Sequence, residues 1–293
     1  MSWHRLAKQA RPRAQEPKRD IPYEIPGQRL GPQLASEIAR LFDDFHIPSF
    51  VWDWIEKSPW TETRNHLEFE FIIPDHLIIE AQKALATVGF ISCAAESACH
   101  MFEEFPFKPL PTIHFHHISR VDEVISLRKQ TALATKLPLT LAPPAPNDPD
   151  FMLSNEPRLS GSPAAFAPLP DIMYPFRLLA PVRFAEALVL QACQDVDVER
   201  ETVIRGYMLR LGYLKQCGQG PTGLLDQEYF HEYLWPFWAA LEQGAFQLMI
   251  AHARRLKDKL NRTGFRLPTA EELEQKKAKR RVQQMRNRGT TAS

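Results

Sequence analysis

The sequence predicts an α+β fold, in which a sheet-bearing part is followed by a helical one. Three observations carry this. Leu67–Ile73 reads L-E-F-E-F-I-I, the alternation of a half-buried strand. A helical repeat with Leu77, Ile78, Ala81, Leu85 and Val88 follows it directly. Beyond Pro181 the chain is helical in pattern over 182–194, 197–216, 226–258 and 269–288.

Taken in order, residues 1–30 lack a periodic apolar pattern and are expected to be disordered or loosely attached. Gly31-Pro32 opens a helix whose inner stripe is Leu34, Ile38, Leu41, Phe42 and Phe45. Ile47–Trp52 is a short apolar strand. The strand at Leu67–Ile73 ends at Pro74-Asp75, where Asp75 offers an N-cap. Gly89 stands at the C′ position of the next helix, and Phe90–Cys93 then reads as a strand closing a β-α-β unit. Thr112–Ile118 and Val124–Leu127 are further strands, the first with His114 and His116 on one face. The Pro-rich loop 138–175 shows no periodic element. Pro236 is expected to kink or interrupt the aromatic-rich helix over 226–258.

Composition sets outer limits. The 293 residues are 44% hydrophobic and 24% charged, enough for a packed core. The 25 prolines outnumber the 12 glycines and cluster at 106–111, 138–149 and 163–175, which predicts long surface connections. The net charge of +1 gives no bulk case for nucleic acid or membrane. Four cysteines (Cys93, Cys99, Cys193 and Cys217) do not make a disulfide scaffold. The first 20 residues lack the apolar run of a secretory signal. Their early arginines would suit a mitochondrial presequence, against which Pro12 and Pro17 argue. The expected location is intracellular, cytoplasmic or nuclear.

Period 2 puts Glu68 and Glu70 on one strand face and Leu67, Phe69 and Phe71 on the other. Paired acids on a strand are how metal-dependent nucleotidyl transfer holds divalent cations. The simpler reading is one solvated face of a half-buried strand. Cys93, Cys99, His100, His114, His116 and His117 are of metal-ligating type. Their Cys-x5-Cys spacing departs from the short zinc knuckles, and ordinary core or surface roles are the expectation. There is no phosphate-binding glycine loop, and Gly218-Gln219-Gly220 reads as an inter-helix turn.

Several stretches carry a resemblance: Ile47–Trp52, Leu67–Asp75, Ala81–Cys93, His114–His116, Pro146–Pro149, Phe151–Leu153, Arg158-Leu159 and Pro181–Ala187. Over residues 45–195 the chain resembles a nucleotidyltransferase-like family of largely uncharacterised fungal proteins. The resemblance implies a mixed sheet with flanking helices over 31–195; helical periodicity and the charge run give a helical part over 196–268 and a basic tail over 269–293. The resemblance maps the acidic pair onto Glu68 and Glu70, and the third carboxylate position onto His116. The chain departs from the active pattern at each point. Glutamates replace the Asp-x-Asp pair, Trp52-Asp53-Trp54 stands near the glycine turn, and a histidine stands where a third acid is wanted. The implied role is that of an inactive relative engaged in binding or scaffolding, with no cofactor. The alternative is an active transferase using Mg2+ at Glu68 and Glu70. A third reading is a nuclear protein acting through its basic tail, Lys276, Lys277, Lys279, Arg280 and Arg281, with a protein as partner rather than nucleic acid or membrane.

Overall fold

The computed structural model describes Tyr23, Ile25, Gln28 and residues 30–52, 67–95, 99, 111–117, 120–133, 137–157, 168–197, 201–218 and 234–263. It also describes positions 271, 272, 275, 278 and 279. Six helices and six strands lie among them, forming a mixed α+β fold. The strands are β1 (Phe50–Trp52), β2 (Leu67–Ile73), β3 (Ile113–His117), β4 (Arg120–Lys129), β5 (Phe151–Leu153) and β6 (Arg177–Leu179). The helices are α1 (Pro32–Asp44), α2 (Ile78–Thr87), α3 (Pro181–Asp195), α4 (Glu201–Gly218), α5 (Trp235–Glu242) and α6 (Phe246–Thr263). None of these helices is long and apolar enough to cross a membrane.

All six strands form one sheet in the order β3-β4-β2-β1-β6-β5. The β2–β4 and β1–β6 pairings are parallel and the other three antiparallel. The register separates two faces. Phe69 and Phe71 share theirs with Ile125, Leu127, Phe115 and Val51. Helix α1 packs there, with the Phe42 and Phe71 rings edge to face at 5.4 Å. Phe69 and Phe71 are at most 1% exposed, the expected core side of the strand. Ile78, Ala81, Ala84 and Leu85 are the buried positions of α2, which packs beside α1 and on β4.

The opposite face carries Trp52, Glu68, Glu70, Ser126, Arg128, His114 and His116. Sequence alternation left open that this face is solvated. It is instead roofed by helices, with Phe184 of α3 on Trp52 at 5.0 Å. Helix α6 packs on α3, and α5 on α6. The main hydrophobic core runs from Ile25 through the sheet to Leu256, so the helical part continues the core of the sheet. The end of the N-terminal segment joins it too. Ile25 and Leu30 are buried, and the Leu30 N–H donates to Glu123 at 2.8 Å.

Three expectations change. Phe90–Cys93 is no full strand and does not close a β-α-β unit; it makes one antiparallel bridge, Ser92 to Phe115 on the outer edge of β3. Ile91 is 74% exposed, whereas Phe90 is buried with its ring 6.2 Å from that of Phe115. The parallel partner of β2 is β4, with α2 and β3 between them in the chain. The 138–175 region holds β5, whose start is fixed by Asp148 accepting from the Asp150 and Phe151 N–H groups. Finally, the pattern over 226–258 is broken after Glu242, where Gly244 at φ +62° makes the turn into α6, and Pro236 lies in the first turn of α5. Of the tail, Glu271, Glu272, Gln275, Ala278 and Lys279 are described, and all five are helical and exposed.

Candidate functional site

Two clusters share the roofed face of the sheet. At its centre, Glu70 pairs with Ser126 across the β2–β4 ladder, and Arg128 lies one diagonal step away. The Glu70 carboxylate is 2% exposed, and its Oε1 accepts from Nε of Arg128 in a buried ion pair. Burial pushes the phenol of Tyr207 in α4 far above its ordinary range, Asp195 adds to the rise, and Arg210 and then Arg128 oppose it. The centre of the acidic face is thus an internal charge pair beneath a helical layer. Glu68, one pleat along, is only half-buried. The structure therefore separates the two acids by environment.

At the β3 edge, a second cluster assembles. His114 and His116 project to the same face with ring centroids 5.2 Å apart and edge to face. The Ser92–Phe115 bridge lays Cys93 alongside His114, and the Cys93 N–H donates to the His114 carbonyl at 2.9 Å. Ser92 takes the Phe115 side of the sheet, so pleating turns Cys93 to the histidine side. Cys99 returns over the same place, 3% exposed, and its Sγ lies 3.3 Å from Nε2 of His116. One donor atom from each of Cys93, Cys99, His114 and His116 lies within 4.8 Å of all the others. His114 is buried, and its imidazole pKa is pushed down to about 4, first by that burial and then by His116, with Glu68 opposing. It is neutral at physiological pH, the form in which imidazole binds metal.

No match exists among known protein families, curated proteins or solved structures. The site therefore stands on its own geometry.

Glu68, Glu70 and His116 all project from the same sheet face, but they do not form one centre. Glu70 belongs with Arg128, and His116 with the cysteines. Of the ligand-type residues read from sequence, Cys93, Cys99, His114 and His116 converge. His100 and the His117 side chain lie outside the described residues, as do Lys276, Lys277, Arg280 and Arg281 of the tail. The residue that sequence reasoning missed is Arg128. Its only sequence signal is a cation at the end of an apolar strand, which reads equally well as a strand terminus.

Other motif residues act in the frame. Asn147 adopts φ +62° in the turn that Asp148 closes. Arg183 of α3 donates through Nε to Asp150 at 2.6 Å and through a second nitrogen to Glu186. Arg177 donates to Asp43 at 3.1 Å and to the Leu141 carbonyl at 2.5 Å, tying the Pro-rich segment to the end of α1.

Proposed function

We propose that this chain is a nucleotidyltransferase-like domain without transfer activity, which works by binding or scaffolding. The observation that supports this reading is the buried Glu70–Arg128 pair. A Mg2+ ion bridging Glu68 and Glu70 would have to displace a guanidinium from a site of low dielectric. That would leave the Arg128 charge buried without its counter-ion, which costs several kcal/mol, on the order of 3–5. The Glu70–Arg128 pair does not fit a bridging cation. The missing glycine turn points the same way, since backbone N–H groups must approach phosphates closely to hold them.

The test is thermal. A ligand at 100 times its dissociation constant adds about 2.7 kcal/mol of stability. The expected result is no metal-dependent melting shift with any of the four nucleoside triphosphates, using Mg2+ or Mn2+, and no transfer. A Mg2+-dependent shift that disappears in Glu68→Gln would overturn the reading in favour of an active enzyme.

The exposed helical positions Glu271, Glu272, Gln275, Ala278 and Lys279 favour a second reading, in which the basic tail is a nuclear import signal. Such a signal must be accessible to its receptor. A fusion of residues 270–293 to a fluorescent reporter is then expected to accumulate in nuclei, and a reporter that stays in the cytoplasm ends this reading.

A further inference from the structure

We infer that Cys93, Cys99, His114 and His116 form a structural zinc site that clips the 93–99 segment to the outer edge of the sheet. Two thiols and two imidazoles are a complete tetrahedral donor set for Zn2+. With Zn–S near 2.3 Å and Zn–N near 2.0 Å, tetrahedral edges measure about 3.3–3.8 Å. The Cys99–His116 edge is 3.3 Å, already of that length, and no pair of donors exceeds 4.8 Å. Closing the set around an ion asks for movements of about 1 Å, small for side chains.

A second observation is independent of those distances. Among the described residues, Cys99 and Val124 form a buried cluster separate from the main core, with Cys93 packed against it. The backbone bond from Cys93 to His114 fixes one end of the segment, and the second thiol fixes the other. Cys99 and His114 lie deep, whereas Cys93 and His116 are partly open, which provides an entry path for the ion. Four protein donors leave no position for water or substrate, so the role is structural. On binding, each thiol releases its proton to solvent and the imidazoles coordinate in their neutral form.

The full chain, expressed in zinc-supplemented medium, is expected to carry one equivalent of zinc by elemental analysis. Its Co2+-substituted form should show the intense visible d–d absorption of a tetrahedral centre and a thiolate charge-transfer band. Cys99→Ser and His116→Ala should each lose the stoichiometric ion, while Cys193→Ala, remote from the cluster, should keep it. Should the variants fail to fold, the wild-type chain still decides. Chelation must release the zinc, lower the melting temperature and expose Cys93 and Cys99 to alkylation together. A chain without stoichiometric zinc, a weakly absorbing six-coordinate cobalt form, or a Cys93–Cys99 disulfide in reducing buffer would each overturn the proposal. None of these readouts involves nucleotide, so the outcome is distinct from that of the Mg2+ test.

Discussion

At the scale of single residues, Glu70 and Arg128 decide how the acidic strand is to be understood. Alternation made it legible that Glu68 and Glu70 share a face. It carried no information on what covers that face, because the partner is 58 residues away and comes from a different strand. The pair makes a sharp energetic prediction. Glu70→Leu or Arg128→Met should each destabilise the protein by about 3–5 kcal/mol, since each strands a buried charge. The double variant Glu70→Leu with Arg128→Met should lie far closer to wild type, because an apolar pair of similar volume removes both charges together. Denaturant unfolding of the four proteins measures the cycle. Near-additive costs would show that the two side chains do not depend on one another. The same limit of legibility applies to the cysteines. His114 and His116 could be placed on one face by period 2. Cys93 and Cys99 could not be brought to them from spacing, because that depends on a single bridge between Ser92 and Phe115.

At the scale of elements, the periodic ones were readable: α1, β2, α2 and α3 stand where their apolar repeats put them. The two strands that escaped, β5 and β6, are three residues each. Three residues do not establish a period, and both sit among prolines. Their positions are set by pairing and by side-chain caps, Asp148 before β5 and Ser154, whose hydroxyl accepts from the Phe176 N–H at 3.1 Å. Helix ends show the same contrast. Gly89, at φ +93°, ends α2 in a conformation that glycine adopts freely, and it was legible for that reason. α1 ends at His46, which adopts φ +58° without being a glycine, with the Ile47 N–H reaching the Phe42 carbonyl at 2.8 Å. Opposite substitutions should therefore have opposite effects. Gly89→Ala is expected to destabilise by about 1 kcal/mol, although nothing crowds the added methyl, because the backbone itself is strained. His46→Gly is expected to stabilise by several tenths to about 1 kcal/mol, partly offset by greater freedom in the unfolded chain. Thermal or chemical unfolding of the two variants checks both signs.

At the scale of the whole molecule, the division into a sheet part and a helical part describes the order of the sequence better than the packing. α3 lies on the acidic face with α4 and α6 packed on it, and one core joins the helices to α1 and the strands. Two parallel pairings make the sheet mixed: β2 with β4, and the junction where Val51 of β1 lies parallel to Leu178 of β6. That junction has a consequence for how the chain is made. β1, β2, β3 and β4 leave the ribosome early and can pair among themselves. The free edge of β1 then waits for a partner that lies almost 130 residues further on. At synthesis rates of about 5–20 residues per second, the wait is on the order of ten seconds. For that interval a nascent chain displays a short, apolar, unpaired strand edge, Phe50-Val51-Trp52, long enough for a chaperone to find it or for two neighbouring nascent chains to pair through it.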